Sequence, residues 1–222
     1  MKYWNKTYFI FKQKKNFFLG FSIYILFSMF ILLFVGNLEI SKIINAISSS
    51  FLDTLFFNIT YLGDGLMVLV FLLIVFSYRI SFGLISMVSL LIPILFTQVL
   101  KRICFPDFPR PSVVFKDLIN SGQWNLIDVV DLHAYMSFPS GHTTTVFSIS
   151  CIFILFVKNK FYQVPILLIA ILTGFSRIYL SQHFLIDVLA GSIIGCLGSF
   201  LLYSALSDKF NSLGFSFLRF FK

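Results

Sequence analysis

The chain has 222 residues, of which 58% are hydrophobic, 19% aromatic and only 12% charged. Soluble domains typically contain about half apolar and about a quarter charged residues, so this composition excludes an ordinary soluble domain. The formal net charge of +8 would suit nucleic-acid binding, but the basic residues alternate with long apolar runs. We therefore expect membrane lipids as partners and no nucleic acid.

Six uncharged apolar runs follow one another, at residues 17–35, 66–78, 80–100, 143–157, 164–176 and 188–207. A bilayer core requires about 20 apolar residues per helix. Three runs reach that length alone, and the others reach it with flanking polar residues; the second run extends back through "NITYLGDG". This pattern predicts an all-α fold, an integral membrane bundle of six transmembrane helices in a single domain, 1–222, with its core at about 60–205.

The first apolar run has features of a secretory signal, because lysines precede it and "AIS" at 46–48 resembles a cleavage site. Its apolar core of about 19 residues is too long for most signal peptides, and the cleavage site would lie beyond its end. We therefore predict a permanent membrane anchor, with residues 1–16 as a basic cytoplasmic tail.

The basic residues are unevenly distributed between the connecting segments. Eleven of the 17 lie before the first run, between runs two and three, between runs four and five, or after run six. These segments share one side of the membrane, and the positive-inside rule makes that side cytoplasmic. The expected location is the bacterial inner membrane, with both termini cytoplasmic and the other connections facing the periplasm.

Two of the outer connections are long. Residues 36–64 are rich in Phe and Leu, which predicts an interfacial amphipathic helix in the first outer loop. Residues 104–139 form the longest polar stretch, and such loops are more often functional than structural. "AGSIIG" at 190–195 has the small-residue spacing that lets helices pack closely. The three cysteines show no disulfide framework or metal-ligand spacing.

Three polar clusters lie at helix ends: "KRICFPDFPRP" at 101–111, "SFPSGHTTT" at 137–145 and "SRIYLSQHFLID" at 176–187. Antiparallel connectivity brings all three to the same membrane face. In the third cluster, His183 and Asp187 are four residues apart and can touch. An Asp that accepts one imidazole proton leaves the other nitrogen free as a nucleophile or a general base. Alternatively, the pair only satisfies its own hydrogen bonds.

The cations near this pair favour the first interpretation. Arg177 precedes His183, and Arg110 lies on the adjacent helix end together with Lys101 or Arg102. Several cations at one low-dielectric site repel each other unless an anion joins them, and arginine binds phosphate oxygens in bidentate fashion. These residues therefore predict a phosphate-binding site.

The second cluster adds a helix amino-terminus. Ser140 and Gly141 would present backbone N–H groups to the anion, and His142 is a candidate proton donor. The predicted reaction is attack of His183 on phosphorus, protonation of the leaving oxygen by His142, and hydrolysis of the phosphohistidine by water. We expect no metal and no other cofactor, because the Asp and Glu residues are few and scattered.

These residues resemble the type 2 phosphatidic acid phosphatase superfamily, which also includes the vanadium haloperoxidases. Its motifs are K-x(6)-R-P, P-S-G-H and S-R-x(5)-H-x(3)-D. "PSGH" at 139–142 matches the second motif, and Ser176, Arg177, His183 and Asp187 match the third with its spacing. The first motif departs, because eight residues separate Lys101 from Arg110. We assign the lysine role to Lys101, with Arg102 as the alternative and a bulge at "FPDF".

The resemblance implies a phosphatidic acid phosphatase type 2/haloperoxidase-like membrane enzyme whose pocket opens to lipid on the outer side. Its substrate would be phosphatidic acid, phosphatidylglycerol phosphate, undecaprenyl pyrophosphate or lipid A, with no obligate protein partner. A lipid phosphotransferase is the alternative, although Arg110 and Arg177 favour a hydrolase. A transporter or channel would place its ionisable groups at mid-membrane depth, where this chain has none.

Overall fold

The computed structural model describes residues 2–127 and 130–211, and within these ranges the chain is helical, without strands. The α-helices are α1 Lys2–Gln13, α2 Lys15–Phe34, α3 Asn37–Ala46, α4 Ser50–Ile59, α5 Gly65–Tyr78, α6 Ile80–Val99, α7 Pro111–Val114, α8 Lys116–Asn120, α9 Gly141–Phe156, α10 Gln163–Tyr179 and α11 Leu185–Asn211. Short 3₁₀ turns at Thr60–Gly63 and Lys160–Tyr162 and a π turn at Leu100–Cys104 complete the described elements.

Each of the six apolar runs forms a helix. Four helical segments are long and apolar enough to cross a membrane: Lys15–Phe34, Ile80–Cys104, Lys160–Tyr179 and Leu185–Ser207. A fifth crossing would combine Ser50–Gly63 with Gly65–Tyr78, a pair bent by 54°. Helix α9 has 16 residues, or about 24 Å, which is less than the roughly 30 Å of a hydrocarbon core. The all-helical membrane architecture is therefore confirmed, whereas the count of six spans stays a prediction.

The first outer connection, residues 36–64, forms the two helices α3 and α4 instead of one helix. Gly36, at φ 90°, precedes α3, and Ser49 caps α4 by accepting a hydrogen bond from the Leu52 N–H at 3.4 Å. Helical structure continues from α4 through "NITYLG", but the chain bends at Asp64 before α5. The predicted backward extension of the second run is therefore helical but not straight.

Helix α9 lies at the centre of the bundle and packs against α6, α10 and α11. Its contact with α11 depends on two glycines. A Cβ on Gly191 would collide with the Ser140 carbonyl oxygen, and one on Gly195 would collide with that of Thr144. The small-residue spacing of "AGSIIG" thus allows the backbones of α9 and α11 to approach closely.

A buried Gln side chain at the far end of the bundle joins the beginning of α10 to the junction of α1 and α2. Gln163 Oε1 accepts hydrogen bonds from the backbone N–H groups of Asn16 and Phe17, at 3.1 and 3.3 Å, and its Nε2 donates to the Gln13 carbonyl at 3.0 Å. Next to it, Lys14 Nζ donates to the Val157 carbonyl at 2.5 Å. These bonds fix the junction of α1 and α2 against α9 and α10.

Candidate active site

The three polar clusters meet at one end of the bundle, where α6 ends, α9 begins and α10 connects to α11. The ionisable side chains there are buried. Lys101 is 9% exposed, Arg110 7%, Arg177 8%, His183 2% and Asp187 1%. Burial of five ionisable groups in one region is costly unless they pair with each other or with a ligand. Their convergence follows from the antiparallel order of the helices.

His183 and Asp187 are in contact through the turn that precedes α11. The His183 Nδ1 atom lies 3.4 Å from Asp187 Oδ2. Helix α11 begins at Leu185, so His183 itself is not helical. The Asp187 carboxylate also accepts the backbone N–H of Phe184 at 2.9 Å, as an acidic residue in the first turn of a helix commonly does. The pair is therefore held by the helix terminus.

Ser137 provides a contact that sequence reasoning missed. Its hydroxyl donates a short hydrogen bond to the same Asp187 Oδ2 atom, and Ser137 is 1% exposed. A second connection lies in the backbone, where the Ser140 N–H donates to the Asp187 carbonyl at 3.0 Å. Asp187 thus joins the beginning of α11 to the segment that leads into α9.

The electrostatic surroundings of His183 keep its ring neutral. Burial lowers the pKa of His183 well below 6.5, and the positive charges of Arg110, Lys101 and Arg177 lower that pKa further. With Nδ1 facing Asp187, the free Nε2 atom is the one able to attack an electrophile. A neutral imidazole with one oriented nitrogen meets the requirements for a nucleophile.

The segment that leads from Lys101 to Arg110 begins in a π turn and continues as a loop. Helix α6 ends in a π turn, Leu100–Cys104, in which the Phe105 N–H donates to the Leu100 carbonyl at 2.9 Å. This turn lies before "FPDF", which forms the loop that follows. Lys101 is buried, whereas Arg102 is exposed. Lys101 is also among the charges that act on His183.

Arg110 connects the long loop to the third cluster. Its Nε donates to the Tyr135 carbonyl at 2.9 Å, and its Nη1 donates to the backbone carbonyl and side-chain Oε1 of Gln182, at 2.9 and 3.2 Å. Nη2 makes only a 3.4 Å contact with the Met136 carbonyl. Burial lowers the pKa of Arg110. Most of this guanidinium is thus fixed by protein, while Nη2 retains capacity for a ligand.

Fewer of the hydrogen-bond donors of Arg177 have a partner. Its Nη1 donates to Thr60 Oγ1 at 2.7 Å, and its Nε is buried without a hydrogen-bond partner. Thr60 belongs to the 3₁₀ turn between α4 and α5, 117 residues away in sequence. A buried guanidinium with an unpartnered donor is able to bind an oxyanion.

The amino-terminus of α9 is open, in the sense that no side chain caps its first N–H groups. Ser140 occupies the N-cap position, yet its side chain caps no backbone N–H group and instead accepts the Thr143 hydroxyl at 2.8 Å. The first helical bond runs from the Thr144 N–H to the Ser140 carbonyl, at 3.0 Å. The N–H groups of Gly141, His142 and Thr143 therefore have no partner within the helix.

His142 lies in the first turn of α9 and is half-buried. The 3₁₀ turn packs closely on it, since a Cβ on Gly63 would lie 2.7 Å from the His142 carbonyl oxygen. Like the three cations, His142 acts on the pKa of His183. The two predicted catalytic histidines are thus brought to the same site from α9 and from the turn before α11.

The loop after Arg110 is anchored to this site by aromatic residues. Phe115 stacks on Trp124 with ring centroids 4.1 Å apart, and Trp124 Nε1 donates to Ser181 Oγ at 3.0 Å. The polar side chains of Asp131 and His133 are exposed, and Asp128 lies outside the described residues. Within residues 2–127 and 130–211, no three His, Cys, Asp or Glu side chains gather as metal ligands.

Known proteins resemble this chain in sequence and in fold. A sequence model of the PAP2 superfamily matches residues 82–211. Undecaprenyl-diphosphatase BcrC of Bacillus subtilis (strain 168) is 40% identical over 67 residues, which cover 30% of this chain and 34% of that protein. Lipid A 4'-phosphatase of Porphyromonas gingivalis is 35% identical over 66 residues, or 30% and 28% of the two chains. These matches span about a third of the length of the curated relatives.

Two solved structures share the fold. Aquifex aeolicus LpxE aligns with a TM-score of 0.64 and 28% identity, covering 75% of this chain and 93% of that one. A PAP2-type phosphatidylglycerolphosphate phosphatase from Bacillus subtilis aligns with a TM-score of 0.61 and 27% identity, covering 89% and 96%.

Proposed function

The chain belongs to the PAP2 superfamily, and we propose that it is a membrane lipid phosphatase that works through a phosphohistidine. The observation that carries this proposal is His183, which faces Asp187 at 3.4 Å and is surrounded by three buried cations. Without the cations, the hydrogen bond within such a His–Asp pair would be its whole explanation. With the cations and the open amino-terminus of α9, the site is suited to a tetrahedral dianion.

In the first step, Nε2 of His183 attacks phosphorus, the bond from phosphorus to the leaving oxygen breaks, and His142 donates a proton to that oxygen. In the second step, a water molecule attacks phosphorus, the nitrogen–phosphorus bond breaks, and the proton of the water returns to His142. Asp187 stabilises the charge that develops on the His183 ring. Lys101, Arg110, Arg177 and the first N–H groups of α9 stabilise the equatorial oxygens.

An apolar groove beside the site supports a lipid as substrate. This groove has a volume of about 440 Å³ and is lined by Phe51, Thr54, Leu55, Asn58, Ile59 and Leu62. It borders the 3₁₀ turn whose Thr60 holds Arg177. The activities of the related proteins suggest a polyprenyl diphosphate, a lipid A phosphate or phosphatidylglycerol phosphate, and phosphatidic acid is a further candidate.

We also propose that the protein crosses the bacterial inner membrane six times, with α9 as the short span and α4, the 3₁₀ turn and α5 as one bent span. Both termini would be cytoplasmic and the active site would face the periplasm. Helix α3 then lies at the outer interface. The distribution of basic residues supports this orientation, because 11 of the 17 fall in the sequence segments that alternate with those carrying the site residues.

The central experiment measures phosphate release from a panel of these lipids by the purified protein, with His183→Ala as the inactive control. We expect acid-labile, base-stable label on the wild-type enzyme after a rapid quench, as for a phosphohistidine, and the same rate in EDTA. Label that appears on an acceptor alcohol instead of in inorganic phosphate would identify a phosphotransferase. Activity that EDTA abolishes and Mg²⁺ restores would overturn the metal-independent mechanism.

A further inference from the structure

A second cavity lies at the end of the bundle opposite to the candidate active site. It has a volume of about 1330 Å³ and is formed where α5 ends, α6 begins and α9 ends, with α11 and the α1–α2 junction at its sides. Pockets for small molecules typically have about 300–1,000 Å³, so this cavity suits a larger ligand.

The walls of this cavity are apolar and aromatic. Phe82 stacks on Phe156 with centroids 5.1 Å apart, and Phe71 meets Phe153 edge to face at 6.4 Å. Several wall residues are open to the surroundings, since Ile74 is 62% exposed and Phe153 46% exposed. Because these residues belong to predicted membrane spans, the open side of the cavity faces lipid.

The rim of the cavity is cationic. Lys14, Arg79, Lys158 and Lys160 are among the lining residues, and no Asp or Glu lines the cavity within the part of the chain that the structure describes. Lys14 is committed to the Val157 carbonyl, and the guanidinium carbon of Arg79 lies 4.9 Å from the centre of the Phe82 ring. Among the described residues, none of these four cations forms an ion pair. An apolar cavity with an uncompensated cationic rim is complementary to an anionic amphiphile.

We propose that this cavity binds an anionic phospholipid of the membrane leaflet opposite to the active site. The headgroup phosphate lies against Arg79, Lys158 and Lys160, and an acyl chain lies along the aromatic wall formed by Phe71, Phe82 and Phe153. This site is separate from the catalytic one, because its residues come from the other ends of the same helices. It is therefore independent of the proposed phosphatase activity.

The test titrates the full-length protein, in a neutral detergent, with phosphatidylglycerol or with phosphatidylcholine of the same chain length, and measures bound lipid by native mass spectrometry. Phosphatidylglycerol is a phosphodiester and provides no phosphate monoester for the proposed reaction. We expect the wild type to bind it at least about tenfold more tightly than phosphatidylcholine. The double variant R79Q/K158Q should lose about tenfold in affinity for phosphatidylglycerol.

Two control variants make the result specific. K12Q/K15Q removes the same charge from the same end of the molecule, but neither lysine lines the cavity, so we expect less than a threefold loss. R79K/K158R retains the charge and should retain most of the affinity. Phosphate release by R79Q/K158Q from a lipid phosphate in the neutral detergent, without added phosphatidylglycerol, should be as fast as that of the wild type, which also verifies its folding.

Three results would overturn the proposal. They are an equal loss of affinity in R79Q/K158Q and K12Q/K15Q, equal binding of the two lipids by the wild type, and displacement of phosphatidylglycerol by millimolar inorganic phosphate. An equal loss in both double variants would show that lipid affinity depends only on net charge. Displacement by inorganic phosphate would identify a simple anion site in which the apolar wall has no role.

Discussion

A single carboxylate oxygen faces the proposed nucleophile of the candidate site. Asp187 Oδ2 accepts hydrogen bonds from the Ser137 hydroxyl and the Phe184 N–H, and it faces Nδ1 of His183. Oriented donors of this kind fix the carboxylate before substrate binds, so that the imidazole needs little reorganisation during attack. We therefore propose that Ser137 is a positioning residue that acts through Asp187.

Substitution of Ser137 tests this role. Ser137→Ala removes a hydrogen bond to a charged group, and such bonds contribute about 1.5–3 kcal/mol. We expect kcat to fall at least tenfold while KM changes less than about twofold, because the hydroxyl points at Asp187 and not at the phosphate site. Ser121→Ala is the matched control, since that exposed hydroxyl only donates to the Leu118 carbonyl. A rise in KM with unchanged kcat would contradict the assignment.

The depressed pKa of His183 predicts a pH dependence. The imidazole of the ligand-free enzyme should remain neutral well below pH 6.5, and Arg110→Gln should raise its pKa by removing a nearby positive charge. Nitrogen-15 histidine spectra, assigned with His183→Ala, measure both values. An unfolded chain takes up this proton below about pH 6.5, whereas the native site does not. This group therefore lowers the free energy of unfolding as pH falls from about 6.5 towards the folded pKa.

The lysine of the first motif is tested by separate substitutions. Lys101 is buried beside the other charges, whereas Arg102 is exposed. Lys101→Ala should lower kcat/KM for phosphate release by about 10²-fold or more, because it removes a cation that we propose to stabilise the equatorial oxygens. Arg102→Ala should change it by less than about threefold. Loss of activity only in Arg102→Ala would show that the wider motif uses the other cation.

At the level of elements, the active site depends on how closely α9 approaches α11. Gly191→Ala would place a methyl group against the Ser140 carbonyl and 3.2 Å from Thr143 Cβ, so the first turn of α9 must move. Overpacking of this kind costs about 1–3 kcal/mol. We expect a lower melting temperature and at least a tenfold loss of kcat/KM. Gly65→Ala, which meets no atom within 4 Å, is the control and should change neither.

Hydropathy predicted the elements well because a lipid-facing helix must be apolar over its whole length, and each apolar run indeed became a helix. It could not predict the bend at Asp64, the division of the first outer connection or the π turn at Leu100–Cys104. These features arise from local packing and loop geometry, which leave no periodic signal in a single sequence.

Some contacts of the candidate site could also be predicted from the sequence, and others could not. The contact between His183 and Asp187 was predictable because the two residues are only four apart in sequence. Contacts made by Ser137, Thr60 and Gln182 were not, because their partners lie 50, 117 and 72 residues away in sequence. Serine, threonine and glutamine are also common in loops, so their residue type alone does not indicate a functional role.

At the scale of the whole molecule, the two ends of the bundle differ in chemistry. One end holds histidines, buried cations and an open helix amino-terminus, and the other holds the apolar cavity with its cationic rim. The positive-inside rule would place the second end in the cytoplasm. A phosphatase so oriented would take phosphate from lipids of the outer leaflet and release it into the periplasm.

Cysteine labelling tests this orientation. Cys104 is the exposed native cysteine, while Cys151 and Cys196 are buried, so Cys104→Ser gives a background with little reaction toward a charged maleimide. A cysteine at the exposed position 116, in α8, should react in intact spheroplasts, and one at the exposed position 160 should react only after the membrane is permeabilised. Phosphate release by both variants verifies their folding. Labelling of position 160, and not of position 116, in intact spheroplasts would invert the topology and place the site in the cytoplasm.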